Sequence, residues 1–354
     1  MKTTVATIVA PRKVEFVEET LPPVGDNDMI IKMDAVGLCH SDMPGYVGSS
    51  IVAASKYGYR EPRPPQYPVV VGHETVATVV EVGKNVKKFK PGDKVTGRVR
   101  QCYRTYMHIP DADEFAPTIQ LFKIPPTDKD YLCCLSEPLE CVVNIVRYAN
   151  PEFGQNIAVV GCGAMGLLTI AGLKNSAAKR IVAVDVIDEK MGIAKEFGAT
   201  HTMNPSKTEN ISEAAYLLTE GKFFDVVVEI TGSIRGLDTA MQMIKYTHKD
   251  GHGVNQYMGS GKVLLPSVYS REETFPARLG FNMMVRTPMM LNVHPTMAVD
   301  PMSNEAEGIA AFIDGRLPME RMITHRIPFR QVATALEYLV EAPADYIKGI
   351  VTFD

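Results

Sequence analysis

The sequence predicts an α/β protein in two parts, a mostly β region and a doubly wound parallel sheet, and three observations carry that prediction. The first 110 or so residues read as short strands broken by turns, with KPGDKV at 90–95 as a turn that runs into a strand. From about 150 the pattern becomes apolar strand, glycine turn and helix in alternation, in NIAVVGCGAMGLLTIAGLKNSAAKRIVAVDVIDEKMGIAKEFGA, and FDVVVEITG at 224–232 adds another buried strand. Such alternation requires a parallel sheet with crossover helices. After about 293 the pattern shifts again, to an amphipathic helix near 303–314, the segment MITHRIPF, a helix at 330–341 and a last strand GIVTFD. These closing elements read as a return to the first region, so the expected domains are 1–147 with 294–354, and 148–293.

The chain's 354 residues suffice for two domains, and 45% apolar with 22% charged residues is an ordinary soluble composition. A net charge of -4 and the lack of a basic tract exclude a general attraction to nucleic acid or anionic lipid, which leaves a small molecule as the expected partner. The apolar stretch in MKTTVATIVAPRKVEF is too short for a secretory core and continues as a strand. No run of about 18 apolar residues reads as a membrane span. The expected location is cytoplasmic, where Cys39, Cys102, Cys133, Cys134, Cys141 and Cys162 stay reduced. Cys133 and Cys134 read as packed core thiols.

VVGCGAMG supplies a G-x-G-x-x-G turn between a strand and a helix. Gly161 permits the tight turn, Gly163 lets the backbone approach a pyrophosphate, and Gly166 lets the helix pack closely on the strand. The second strand, RIVAVD, ends on Asp185 at about the expected 20-residue spacing. Its carboxylate suits the ribose hydroxyls of NAD and repels a 2′-phosphate. Arg180 and Lys190 flank that strand, which leaves a basic phosphate cradle open without indicating one.

His73 and Glu74 stand side by side in VVGHETVATVVEVG, at the entrance of a strand from Thr75 to Val82. Upstream, Cys39 lies in AVGLCHSD after an apolar strand and a glycine. Thiolate, imidazole and carboxylate suit zinc, and a catalytic zinc keeps a fourth position open beside three protein ligands. At this point the chain resembles the zinc-dependent medium-chain dehydrogenase/reductase family, and within it the polyol, sorbitol-type branch. GLCHSD, GHE, VEVGKNVKKFKPGDKV, SEPL, GCGAMG and THRIPF occur in the family's order along nearly the whole chain.

The resemblance implies a GroES-like, mostly β catalytic domain with a Rossmann domain, one catalytic zinc, NAD, and hydride transfer between NAD and a secondary alcohol or ketone. It implies Cys39 and His73 as zinc ligands, Glu74 as a ligand or the adjacent carboxylate, and Glu137 of SEPLE as the remaining ligand. Pro138 fits the first position of a helix, so Glu137 also reads as its cap, and Glu140 and Cys141 are rival ligands one turn on. Asp42 is placed to accept the ring N–H of His73, and Ser41 to relay the alcohol proton. His40, Ala164, Met165 and Thr231 join the three glycines and Asp185 in the implied cofactor set. A homodimer or homotetramer is expected. The substrate reads as a polyol or sugar-derived alcohol, with a threonine-type or simple secondary alcohol, or a non-catalytic relative, as alternatives.

Two departures from the family stand out. The stretch TGRVRQCYRTYMHIPDADEF holds only Cys102, so a four-cysteine structural zinc is not expected. The link from Cys39 to His73 is also long and carries Tyr46, Lys56, Tyr57, Tyr59, Arg60, Arg63 and Tyr67, which reads either as a lid for a polyhydroxylated or phosphorylated substrate or as a solvated loop.

Overall fold

Alternating apolar residues at one end of the chain and unbroken apolar runs at its centre produce two kinds of sheet. In the computed structural model, residues 1–49, 51–54, 60–114, 119–125, 127, 134–246, 261–267, 269, 274–286, 288–294 and 301–354 are described, with backbone alone for 51–54, 60–62, 301, 302 and 305. Two compact units result, Met1–Glu137 with Met319–Asp354, and Pro138–Pro318.

In chain order the first stretch holds β1 (Lys2–Ala10), β2 (Lys13–Thr20), β3 (Met29–Gly37), a short helix α1 (Met43–Val47), β4 (Ile51–Ala54), β5 (Arg60–Arg63), β6 (Glu74–Val82), β7 (Lys94–Val99), β8 (Tyr106–Ile109) and β9 (Ile119–Lys123). Helix α2 (Ser136–Ala149) leads into β10 (Asn156–Val160), α3 (Ala164–Leu173), β11 (Arg180–Val184), α4 (Asp188–Phe197), β12 (His201–Met203), α5 (Ile211–Leu218), β13 (Val226–Glu229), α6 (Ile234–Met243), β14 (Lys262–Leu265), α7 (Ala277–Arg286), β15 (Met289–Asn292) and α8 (Pro301–Ile313). The chain closes with β16 (Ile323–Pro328), α9 (Val332–Glu341) and β17 (Lys348–Thr352).

In the first unit a seven-stranded sheet runs β16-β17-β3-β6-β7-β9, with β8 also paired to β3. Strand β3 shares one edge between two partners, β8 along Met29–Lys32 and β17 along Ala35–Gly37. Its other edge pairs antiparallel with β6, which places Gly37 opposite Glu74. Ile31, Met33, Val36, Val79, Val95 and Leu121 form the core with Val332, Leu336 and Leu339 of α9. Each such side chain contributes roughly 1.5–3 kcal/mol when fully buried. β4 and β5 pair as a hairpin within the long Cys39–His73 link.

The second unit is built on a six-stranded sheet in the order β12-β11-β10-β13-β14-β15, parallel throughout. Its first strand lies in the middle and the winding reverses between β10 and β13, the switch point where doubly wound folds bind nucleotides. Every residue of β10 and β13 is buried, as a sheet covered on both faces requires. Helix α8, expected to belong with the first unit, belongs to the second. Arg147 of α2 pairs with Glu307 at 2.7 Å and bonds Asn304, and Gly308 lies against Leu139. The junctions therefore fall at 137/138 and 318/319 rather than at 147/148 and 293/294. Among the described residues no helix is long and apolar enough to cross a membrane.

Candidate active site

Strand β3 ends at Gly37, and a single 3-10 turn over His40–Asp42 follows Cys39. Because β6 begins at Glu74, opposite Gly37, the thiol, His73 and Glu74 arrive at one place. Their ligand atoms lie within 4.8 Å of one another, the one such group of three among the described residues. Ser41 Oγ sits on the cluster, donating to Cys39 Sγ at 3.3 Å and lying 3.4 Å from His73 Nε2.

Asp42, nearly fully buried, lies 3.3 Å from His73 Nδ1 and accepts from Gly72 N at 3.0 Å and Tyr103 Oη at 3.2 Å. With Nδ1 donating to Asp42, the lone pair of Nε2 points to the cluster, as a metal-ligating imidazole needs. Burial opposes a charge on His73, but the Cys39 sulfur and Asp42 outweigh it and raise its pKa well above the ordinary value. A cluster that attracts a proton to a buried imidazole stabilises positive charge there, which a divalent cation would supply. Soft sulfur, imidazole and carboxylate donors fit zinc.

Glu74 is wholly buried and faces Lys348, whose Nζ donates to Oε1 at 2.7 Å and lies 2.6 Å from Oε2 without forming a hydrogen bond there. Burial alone would lower the pKa of Lys348, but Glu74 and Cys39 outweigh it and hold the ammonium above its ordinary value. Both carboxylate oxygens thus sit against the ammonium, Oε2 without a hydrogen bond of good geometry. Oε2 also borders Gly37. It lies where a side chain on Gly37 would be: a Cβ there would come within 2.0 Å of it.

Glu137 is not one of that group of three, although its charge acts on Glu74 and raises that carboxyl's pKa. Its Oε1 accepts from Arg98 Nε at 3.1 Å and lies 3.1 Å from Arg98 Nη2. Glu140 is buried and Cys141 half-buried, and neither joins the group of three.

In the second unit, the residues of the glycine turn divide the work among themselves. Gly161 takes φ +104°, open to glycine at little cost, and a Cβ on Gly166 would lie 1.8 Å from Gly161 O. Gly163 has nothing within 4 Å of a built Cβ, so the space beside it is open to a pyrophosphate. It caps α3, with Ala164 and Met165 half-buried behind it. Asp185 accepts from Cys162 N at 2.6 Å and Ile187 N at 2.9 Å, which fixes its charge beside the turn. Thr231 is exposed at the end of β13 and bonds the buried Glu229, which Tyr269 also bonds. Arg180 pairs with Glu220, away from any phosphate role. His40 is exposed on its turn.

The lid residues separate. Tyr46 is buried and donates to Glu337 at 2.7 Å, and Tyr67 donates to Gly45 O at 3.0 Å, so both belong to the fold rather than to a lid. Arg63 is exposed, while Lys56, Tyr57 and Tyr59 lie outside the described residues, as does the side chain of Arg60. Cys133 is also outside them; Cys134 is buried. Cys102 is buried beside Gly72. Sequence reasoning missed Tyr103, Gly37, Arg98 and Lys348. Only Lys348 left a signal, a lysine opening the apolar run of the last strand.

Together, a thiolate–imidazole–carboxylate cluster on a mostly β unit and a dinucleotide-type turn on a parallel sheet define a zinc-binding dehydrogenase. The model of the alcohol dehydrogenase GroES-like domain matches residues 25–115, and that of the zinc-binding dehydrogenase matches 164–252. The chain is 26% identical over 378 aligned positions to an uncharacterized zinc-type alcohol dehydrogenase-like protein, YdjJ, of Escherichia coli K12, covering 99% of each. It is 27% identical to sorbitol dehydrogenase of Mus musculus, covering 88% of each. A solved Escherichia coli oxidoreductase/dehydrogenase of unknown specificity superposes with a TM-score of 0.80 at 23% identity, over all of both chains. The chain belongs to the zinc-dependent medium-chain dehydrogenase family.

Proposed function

We propose that the protein is an NAD-dependent oxidoreductase of secondary alcohols, acting on a polyol or sugar-derived alcohol through one zinc per chain. The observation that carries this reading is the convergence of Cys39, His73 and Glu74 with Ser41 Oγ on their edge. When bound, zinc would lower the pKa of a coordinated alcohol and nicotinamide would accept its hydride. Cys39, His73 and Glu74 would hold the metal, and Asp42 keeps His73 in the ligating tautomer. Ser41 Oγ, exposed and within hydrogen-bond reach of the cluster, is placed to take the alcohol proton toward solvent. Gly161, Gly163 and Gly166 would seat the pyrophosphate, and the fixed charge of Asp185 supports NAD over NADP. The sorbitol dehydrogenase relative supports the polyol class.

The test joins elemental analysis to an assay of NAD and NADP reduction over polyols, their phosphates, simple secondary alcohols and threonine. One zinc per chain and turnover of a polyol with NAD are expected. Protein without zinc, or zinc protein inert on the whole panel, refutes the reading.

A further inference from the structure

Gly37 on β3, Glu74 on β6 and Arg98 on β7 form one transverse row in register. Cross-strand neighbours share a face, so Glu74 and Arg98 stand side by side. Each of the two carboxylates here has its own cation: Glu74 has Lys348, and Glu137 has Arg98. The Arg98 and Glu137 side chains are only 16% and 11% exposed, so solvent and salt screen their attraction little. The first residues of α2 are pinned as well. Ser136 Oγ lies 2.8 Å from Thr96 Oγ1, which donates to Thr75 O at 2.9 Å. Glu137 can therefore approach the cluster only by swinging its side chain, and that swing would break both contacts of its Oε1 with a largely buried guanidinium that cannot give up its proton.

We propose that Arg98 is a positioning residue that withholds Glu137 from the metal and so keeps the fourth coordination position open. The proposal rests on the zinc reading above. Cys39, His73, Glu74 and Glu137 together would make a four-ligand shell of the closed, structural kind, whereas three ligands leave room for an alcohol. By sequence resemblance Glu137 is a ligand; by its contacts it is the carboxylate that Arg98 restrains.

Cobalt(II) in place of zinc tests this, because its visible absorption reports the ligands and responds when azide enters an open position. Wild-type protein is expected to bind cobalt and to show an azide response. Arg98→Met is expected to bind cobalt about tenfold more tightly, the scale on which residues behind the ligands act, to lose the azide response and to lose turnover. Glu137→Gln in that background is expected to restore the azide response. Glu137→Gln alone, which leaves the helix start intact, is expected to keep wild-type cobalt affinity within twofold. Unchanged or weaker cobalt binding in Arg98→Met, a retained azide response there, or a large loss of affinity in Glu137→Gln alone overturns the proposal. Wild-type protein that binds no cobalt overturns the zinc reading itself, and the proposal with it.

Discussion

Substitution of Gly37 by alanine is the sharpest probe of how the carboxylate at the cluster is held. Gly37 lies in β3 outside the left-handed region, so alanine brings no backbone strain. Its Cβ would lie 2.0 Å from Glu74 Oε2, 3.0 Å from Cβ and 3.1 Å from Cδ. To regain contact at 3.4 Å the oxygen must retreat by about 1.4 Å, and Glu74 is wholly buried, with its partner Lys348 at 2.7 Å. Retreat by that distance breaks the pair, and a broken buried pair costs about 3–5 kcal/mol. For a chain of 354 residues that corresponds to a fall in Tm of roughly 4–7 °C. Zinc affinity should fall with it, because the carboxylate leaves the cluster. Calorimetry and zinc titration against a chelator measure both. The decisive comparison is Gly37→Ala in a Glu74→Ala background, where the clashing oxygen is gone and only the 3.0 Å approach of the two Cβ atoms remains, so most of the added cost should disappear. An equal loss of stability in both backgrounds would refute the argument, since it would place the strain in the strand and not at Glu74.

Two further tests address the nucleotide turn and the thiols. Gly163→Ala should leave Tm unchanged, because nothing lies within 4 Å of the new Cβ and φ is already -75°, yet should weaken NAD binding at least about tenfold, or 1.4 kcal/mol; unchanged affinity by calorimetric titration would show that the pyrophosphate lies elsewhere. In alkylation at pH 8 followed by peptide mass mapping, Cys102 and Cys162 should stay unlabelled, since burial pushes both thiols up to about 12. Cys39, half-exposed, should label after zinc is removed and be protected when zinc is restored. Labelling of Cys39 at the same rate in both states would remove it from the ligand set.

The sequence made the doubly wound sheet and its glycine turn legible because their physics is local. A strand, three glycines at fixed spacing and an acidic residue about 20 positions on are all read within one crossover, and Gly161, Gly166 and Asp185 take up geometries that this spacing requires. The cluster was legible in part for a similar reason. Cys39 and the His73–Glu74 pair each mark the edge of a strand, and pairing of β3 with β6 then brings those edges together. Helix α8 was misassigned because amphipathicity shows that a helix has an apolar face but not which unit receives it. The contacts of Arg147 and Gly308 decide that, and no periodicity encodes them.

What surrounds the cluster was illegible for a different reason, and the difference bears on chemistry. Lys348 lies 274 positions from Glu74, and Arg98 lies 39 from Glu137, so neither pairing exists until the sheet closes. Motif spacing names groups able to bind a metal; it cannot say which of two carboxylates is free to do so. Both Glu74 and Glu137 are buried, both face a cation, and both stand beside strands of one sheet. They differ in how that cation holds them. Lys348 lies against both oxygens of Glu74, at 2.7 and 2.6 Å, and Oε2 borders the space that Gly37 clears. Arg98 reaches Glu137 with two nitrogens, both on Oε1, from a guanidinium that stays charged at any working pH. That Glu74 and not Glu137 joins Cys39 and His73 follows from strand register, which sets Glu74 opposite Gly37 at the end of β3, rather than from any difference between the two acids.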